Sequence, residues 1–239
     1  MYVDSFFRKR QELARTSANQ LASLIINTVL PPVSQSMGRL SLLDVGCGDG
    51  SWVRAFQRLG VDAYGVDGPW SPYEHAIRYD FSAELLPFAP SLPKSRFDLI
   101  LSLEFAEHIV PQRSEALCQW MGGMTDIIVF SAATPHQGGT GHVNEQWPAY
   151  WAGLFRKVGF VACDLIRPII WNIESVAPWY RQNTIVYFRD KVPDYAVERC
   201  HMAWDSSAPL ALAHPRIYAR GMTWKVQEAI RGALHALKF

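Results

Sequence analysis

The stretch LLDVGCGDGSWVRAF, residues 42–56, decides the fold. It begins with a run of apolar residues typical of a strand buried on both faces, and it ends in a helical pattern. Three glycines, Gly46, Gly48 and Gly50, stand between the two. Glycine permits unusual backbone angles and lets a ligand approach the main chain. Because open parallel sheets bind ligands beyond the carboxyl ends of their strands, the junction predicts a site for a nucleotide-like ligand.

Strand-like and helix-like segments alternate along most of the chain, which predicts an α/β sandwich with a mostly parallel sheet. The predicted strands cover residues 40–45, 61–67, 76–81, 96–104, 126–133, 161–169 and 183–190, and the predicted helices cover 8–29, 50–59, 113–121, 146–160 and 222–239. We expect one main domain over residues 1–190 and a C-terminal helical extension over 191–239.

The composition favours a soluble, cytoplasmic protein. The net charge of +1 over 239 residues gives no field that would attract a nucleic acid. No apolar run is long enough to span a bilayer, so we expect no transmembrane segment. The four cysteines lie far apart without a CxxC pair, which predicts free thiols in a reducing compartment. A monomer and a homodimer are both compatible with the sequence.

The acid at the end of the second predicted strand is compatible with two kinds of ligand. A dinucleotide site has the pattern G-x-G-x-x-G, with an acid about 20 residues further on that binds ribose hydroxyls. Asp67 stands at that distance, but Ser51 occupies the place of the third glycine. A carboxylate such as Asp67 accepts hydrogen bonds from the ribose of NAD and from that of S-adenosylmethionine (SAM) equally well.

The aspartate before the glycines favours the second ligand. LLDVGCGDG resembles the first motif of class I SAM-dependent methyltransferases, a hydrophobic run followed by D-x-G-x-G-x-G. Asp44 and the carbonyls of the loop suit the ammonium of the SAM amino-acid tail. The segments YGVDG, YDF (79–81) and FDLILSLEFAEHI (97–109) match later motifs of the family in the expected order, and the resemblance covers roughly residues 39–165.

This resemblance implies a Rossmann-like sandwich with a seven-stranded sheet and SAM as cofactor. Asp67 would bind the ribose, Asp80 would accept from the adenine amino group, and Phe81 would offer its backbone amide or its ring. The end of the fourth strand would line the methionine and methyl region. The implied cofactor-binding residues are Asp44, Gly46, Cys47, Gly48, Gly50, Asp67, Asp80, Phe81, Leu103 and Glu104.

A second unusual stretch, SAATPHQGGTGHVNEQWPAYW (131–151), follows the fifth strand. It resembles a loop of bacterial methyltransferases that modify glycans and small metabolites. A hydroxyl acceptor must lose its proton, and a histidine suits that task. His142 is the first candidate for this base and His136 the second, although either could instead fix the loop through backbone contacts. A metal held by His136, His142 and Glu145 is a rival interpretation, and we expect none.

The sequence therefore predicts SAM-dependent methyl transfer to a hydroxyl, or to an amine, of a small metabolite or glycan. A nucleic-acid acceptor is disfavoured, because SLEF (102–105) stands where an NPPY-like motif would follow the fourth strand. An NAD-dependent oxidoreductase and a SAM-binding protein without catalytic activity remain as alternatives.

Overall fold

The structure is a computed structural model that describes residues 2–31, 39–83 and 86–198, together with residues 200, 214 and 217. The predicted helix over 222–239 and most of the proposed extension over 191–239 lie outside the described residues. Within the described part of the chain, no helix is both long enough and apolar enough to cross a membrane.

The described residues form seven strands and seven α-helices. The strands are β1 (Ser41–Val45), β2 (Asp62–Asp67), β3 (Ile77–Arg78), β4 (Leu99–Leu103), β5 (Ile127–Ser131), β6 (Phe160–Cys163) and β7 (Ile185–Arg189). The helices are α1 (Tyr2–Val29), α2 (Ser51–Arg58), α3 (Ser114–Gly122), α4 (Pro148–Lys157), α5 (Arg167–Ile170), α6 (Pro178–Asn183) and α7 (Asp194–Val197). Two short 3-10 turns, Ala106–His108 and Pro111–Arg113, lie between β4 and α3.

The strands form one sheet in the order β3-β2-β1-β4-β5-β7-β6. All pairings are parallel except those of β7, which runs antiparallel to β5 and to β6. The predicted Rossmann-like sandwich with a mostly parallel seven-stranded sheet is therefore confirmed. The chain reverses its direction of winding between β1 and β4, and ligands bind at such switch points in open α/β sheets. Gly46 follows β1 there, and Glu104 follows β4.

Helices cover both faces of the sheet, as predicted. All five residues of β1 are buried, and its three apolar side chains pack into two clusters on opposite faces of the sheet. Leu42 packs with residues of α1, α2 and α6, whereas Leu43 and Val45 pack with residues of α3 and α4. This burial on both sides explains why β1 is an almost continuous apolar run.

Two predicted strands are wrong in extent. The strand predicted over 76–81 is reduced to Ile77–Arg78, and the strand predicted over 161–169 ends at Cys163. The chain instead forms helix α5, with Pro168 in its first turn. Arg167 and Asp164, both almost fully buried, form an ion pair with Nη2 and Oδ2 2.7 Å apart. This local pairing of residues three apart stabilises a turn, which an extended strand would not allow.

The prediction of four free thiols is also wrong in part. Cys163 and Cys200 form a disulfide with their Cα atoms 5.9 Å apart, whereas Cys47 and Cys118 are free and buried. The two bridged residues are separated by 37 positions, one at the end of β6 and the other beyond α7. Their spacing carries no motif, so only the packing of α7 near the sheet brings them together.

Candidate active site

The glycine loop after β1 makes two close contacts and leaves one open face. Gly46, Gly48 and Gly50 all have positive φ angles, of 77°, 54° and 73°. A Cβ atom on Gly46 would lie 2.2 Å from the Phe105 ring, and one on Gly50 would lie 2.5 Å from the Tyr73 ring. A Cβ on Gly48 would meet nothing within 4 Å. The outer two glycines therefore fix the loop, and the backbone at Gly48 is the part open to a ligand.

Asp44 places an unpaired carboxylate oxygen beneath this loop. The residue is 2% exposed, and its Oδ2 atom has no hydrogen-bond partner among the described residues. Burial, followed by the nearby charges of Asp67 and Asp49, raises the pKa of Asp44 well above its ordinary value. A buried polar atom without a partner is costly. A cationic group, such as the ammonium expected from the sequence, would satisfy it.

Asp67, at the end of β2, holds the loop from the other side. Its Oδ2 accepts a hydrogen bond from the Gly48 N–H at 2.7 Å, and its Oδ1 accepts one from the Gly68 N–H at 2.6 Å. The Ser71 hydroxyl donates to the Gly48 carbonyl at 2.6 Å. Burial raises the pKa of Asp67, against the effect of the two backbone donors. A carboxylate has about four acceptor positions, so Asp67 retains capacity for a diol.

The remaining residues of the predicted cofactor set differ in accessibility. Asp80 accepts hydrogen bonds from the N–H groups of Ser82 and Ala83. The Phe81 ring is buried in an aromatic cluster, which leaves the backbone amide of Phe81 as the group that could face an adenine. That cluster contains Tyr79, Phe88, Phe105 and Trp120. The side chains of Cys47 and Leu103 are buried.

Glu104, the residue directly after β4, has a strained backbone. Its φ angle of 53° lies in the left-handed region, which is unusual for a residue other than glycine. Its carboxylate accepts hydrogen bonds from Gln137 Nε2 at 2.8 Å and from Asn183 Nδ2 at 3.0 Å. The next residue, Phe105, lies against Gly46. Such strain concentrates at functional sites. Here Glu104 and Phe105 connect the glycine loop to the loop that follows β5.

Three residues further on, Glu107 and His142 form the centre of a polar cluster. Glu107 is 1% exposed, and its Oε2 atom has no hydrogen-bond partner within the described part of the chain. His142 Nε2 lies 3.9 Å from Glu107 Oε1, and His142 Nδ1 lies 2.9 Å from Glu145 Oε1. Burial, followed by the charge of Glu104, raises the pKa of Glu107 well above its ordinary value. His142 is thus held between two carboxyl groups.

His108 completes this cluster, and the ring of His136 does not. The His108 and His142 rings meet edge to face with their centroids 5.0 Å apart, and His108 Nδ1 lies 3.1 Å from the Gly141 carbonyl. His136 is exposed and takes part through its backbone, whose N–H donates to Glu145 Oε2 at 2.9 Å. Of the two histidines that the sequence offered as a base, the structure brings only the His142 ring into the cluster.

The sequence already groups Glu104, Glu107 and His108 as a polar cluster, in which Glu107 and His108 could instead cap the following turn. The signal is the pattern E-x-x-E-H at residues 104–108, directly after a buried strand. Two acids and a histidine at the carboxyl end of a central strand indicate a site. The sequence did not single out Asn183, which reaches Glu104 from α6.

Residues 6–122, about half of the chain, match the family model described as a methyltransferase domain. A SAM-dependent methyltransferase from Archaeoglobus fulgidus has the same fold, with a TM-score of 0.52 and 18% identity over 78% of this chain and 99% of that one. The chain belongs to the class I SAM-dependent methyltransferases. The sugar N-methyltransferase KedS8 from Streptoalloteichus shares the methyltransferase fold, with a TM-score of 0.52 and 14% identity over 80% of this chain and 93% of that one.

Curated relatives match a shorter part of this methyltransferase. A ubiquinone biosynthesis O-methyltransferase from Bradyrhizobium diazoefficiens is 34% identical over 80 residues, which are 31% of this chain and 32% of that protein. One with the same name from Rhodopseudomonas palustris is 29% identical over 85 residues, covering 33% of this chain and 34% of that protein. The chain thus aligns with about a third of the length of the curated relatives it matches.

Proposed function

We propose that this protein transfers the methyl group of SAM to a hydroxyl of a small molecule, with an amine as the second choice of acceptor. One observation carries the proposal. The unpaired carboxylate of Asp44 and the open backbone at Gly48 lie at the same sheet edge as the polar cluster around His142. The first two suit a donor with a cationic tail, and the third suits an acceptor that must lose a proton.

The residues present fit SAM as the donor substrate. Asp44 would pair with its ammonium, because a buried carboxylate without a partner gains most from a cation. The backbone at Gly48 leaves room for the amino-acid part, and Asp67 would accept from the ribose hydroxyls while holding the loop. SAM supplies a methyl group already activated by the adjacent sulfonium. The protein's task is then mainly to align donor and acceptor.

His142 is the residue we propose to take the acceptor proton. Glu145 Oε1 lies 2.9 Å from Nδ1, which orients the ring and directs Nε2 away from Glu145. The acceptor oxygen would attack the methyl carbon in line with the carbon–sulfur bond, whose electron pair stays on sulfur. Gly139 allows this arrangement, because a Cβ there would come within 2.0 Å of His142 Nε2.

Two facts support a small hydroxyl acceptor. The curated relatives are named as O-methyltransferases in ubiquinone biosynthesis, which concerns transfer to oxygen. The net charge of +1 offers little attraction for nucleic acids. The loop over 131–151 and helix α6, which meet at Glu104, would form the acceptor side of the pocket.

The test is formation of S-adenosylhomocysteine (SAH) from SAM in the presence of a panel of phenols, catechols, sugars and amines. We expect turnover with a hydroxyl acceptor, and we expect His142→Ala to slow it about 100-fold or more, the contribution of a general base, while SAH affinity stays the same. His75→Ala is the matched control, because that side chain is 74% exposed and outside the cluster. Full activity of His142→Ala would place the base elsewhere. SAH binding without turnover on any acceptor would favour a SAM-binding protein without catalytic activity.

SAH binding is also expected to release a proton. Burial, followed by the charges of Asp67 and Asp49, raises the pKa of Asp44 in the free protein, so this carboxyl keeps its proton to a higher pH than an ordinary aspartate does. An ammonium favours the ionised form, so the proton leaves on binding and the apparent affinity rises as the pH rises through that pKa. Calorimetry in two buffers of equal pH and different ionisation enthalpy measures the release. Asp44→Asn should abolish the difference, and equal enthalpies for the unmodified chain would contradict the role of Asp44.

A further inference from the structure

We propose that Gln137 is a positioning residue, which holds Glu145 in place and thereby orients the His142 ring toward the acceptor. This role rests on the proposed function, in which His142 takes the acceptor proton. Gln137 lies at the middle of residues 136–138, a short segment of the loop that follows β5. It acts on the reaction only through Glu145 and His142.

The 136–138 segment holds the carboxylate that orients His142. Glu145 Oε2 accepts a hydrogen bond from the His136 N–H at 2.9 Å, and Oε1 accepts one from the Gly138 N–H at 3.0 Å. The same Oε1 atom lies 2.9 Å from His142 Nδ1. Because the backbone of the segment engages both carboxylate oxygens, Glu145 can reorient only if the segment moves. The position of the His142 ring therefore depends on the segment.

This segment has a backbone conformation that needs support from its surroundings. His136 and Gly138 have positive φ angles, of 68° and 73°. A histidine in the left-handed region costs free energy and persists where neighbouring groups hold it. His136 and Gly138 are exposed, whereas Gln137 between them is half-buried. Of the three residues, Gln137 is the one whose side chain reaches the interior of the protein.

The side-chain amide of Gln137 is held at both of its polar atoms. Its Nε2 donates to Glu104 Oε2 at 2.8 Å, and its Oε1 accepts from Asn183 Nδ2 at 2.8 Å. Asn183 Nδ2 also donates to Glu104 Oε1 at 3.0 Å. The three side chains thus form a closed ring of hydrogen bonds. A polar network whose members are all satisfied rigidifies the structure around it.

The ring of hydrogen bonds is attached to regular elements. Glu104 directly follows the central strand β4, and Asn183 is the last residue of α6. Gln182, the buried neighbour of Asn183, donates to the Thr134 hydroxyl at 2.9 Å and accepts from the His214 N–H at 2.6 Å. Groups supported by strands and helices keep their geometry better than groups supported by a loop alone. Gln137 therefore transmits the rigidity of β4 and α6 to the loop.

The ring requires a side chain at position 137 that both donates and accepts. Gln137→Met fills a similar volume and does neither. Gln137→Glu keeps the shape and the acceptor, but it loses the donor and brings a second carboxyl group to Glu104. Exchanging the two types, in the double variant Glu104→Gln with Gln137→Glu, again sets a donor against an acceptor. In that variant Asn183 can still donate to both side chains.

The first test measures the tautomer of His142 and needs no acceptor. A hydrogen bond from Nδ1 to a carboxylate fixes the proton on Nδ1, whereas the ring of free histidine prefers the proton on Nε2. Isotope labelling of the histidine nitrogens reports the tautomer by NMR in mildly alkaline buffer, and His142→Ala assigns the signals. We expect the Nδ1–H form in the unmodified chain and a shift of most of the population to the Nε2–H form in Gln137→Met and in Gln137→Glu. The double variant should restore the Nδ1–H form.

The second test separates turnover from donor binding. With a hydroxyl acceptor, we expect Gln137→Met to lower kcat about 10-fold to 100-fold, because a misplaced reacting group costs up to about 100-fold. Its affinity for SAH should stay the same. The backbone N–H groups of His136 and Gly138 should lose protection from hydrogen exchange in this variant. Gln119→Ala, whose side chain is exposed on α3, is the matched control and should behave like the unmodified chain.

Thermal melting shows whether each variant is folded. An unchanged His142 tautomer in folded Gln137→Met would overturn the role of Gln137. A folded double variant that resembles Gln137→Glu would do the same, because the effect would then not arise from the hydrogen bond between positions 104 and 137. The tautomer is measured without an acceptor, so failure of this role is distinguishable from failure of His142 as the base, which full activity of His142→Ala would show.

Discussion

Asp67→Ala is expected to lower the affinity of the protein for SAH by about 100-fold or more. Hydrogen bonds to a charged acceptor contribute about 1.5–3 kcal/mol each, and 1.4 kcal/mol corresponds to a factor of ten in affinity. The substitution removes the acceptor of the ribose hydroxyls and also releases the Gly48 N–H that Asp67 holds at 2.7 Å. Both effects disturb the donor site, and calorimetric titration with SAH measures them.

Asp194→Ala is the matched control for this substitution. Its side chain is 96% exposed at the start of α7, away from the glycine loop, so it should bind SAH like the unmodified protein. A melting curve would show that the fold of Asp67→Ala is intact. An intact variant with unchanged SAH affinity would refute the assignment of Asp67.

Gly46→Ala and Gly48→Ala should separate stability from binding. A methyl group on Gly46 would lie 2.2 Å from the Phe105 ring, in addition to the cost of a left-handed backbone. Overpacking costs about 1–3 kcal/mol and the left-handed conformation about 1–2 kcal/mol, so we expect a loss of about 2–5 kcal/mol in unfolding free energy. The methyl group of Gly48→Ala meets no protein atom within 4 Å. This variant should therefore lose only the unfolding free energy that the left-handed backbone costs, about 1–2 kcal/mol.

For SAH affinity the order of the two variants is reversed, and Gly48→Ala is the more strongly affected. The methyl group of Gly48→Ala enters the open space assigned to SAM, so this stable variant should lose SAH affinity strongly. Urea denaturation and SAH titration of both variants test the contrast. Adding Phe105→Ala to Gly46→Ala should recover part of the lost stability, because the overlapping ring is gone. Normal SAH binding by Gly48→Ala would mean that the donor does not pass over this backbone.

The side of the site that we propose for the donor has a geometry that could be predicted from sequence, because it depends on local patterns. Asp44, the three glycines and Asp67 occupy adjacent strand ends, and the alternation of strands and helices determines which ends are adjacent. The positive φ angles of Gly46, Gly48 and Gly50 follow from the same junction. These features need no knowledge of how distant segments pack.

The side that we propose for the acceptor has a geometry that could be predicted only in part, because it depends on long-range packing. His142 meets Glu107 across 35 positions of the chain, and Asn183 reaches Glu104 across 79. A sequence pattern shows that such residues exist and does not show which of them meet. The Cys163–Cys200 disulfide could not be predicted for the same reason. Helix α5 was missed because the Asp164–Arg167 ion pair overrides the strand-like pattern there.

The glycine loop is expected to hold the donor of a methyl group. Calorimetric titration of the purified protein with SAH, with NAD in a parallel titration, tests it most directly. We predict saturable one-to-one binding of SAH and no binding of NAD. Binding of NAD without binding of SAH would show that the loop is a dinucleotide site and would remove the basis for the roles given to Asp44 and His142.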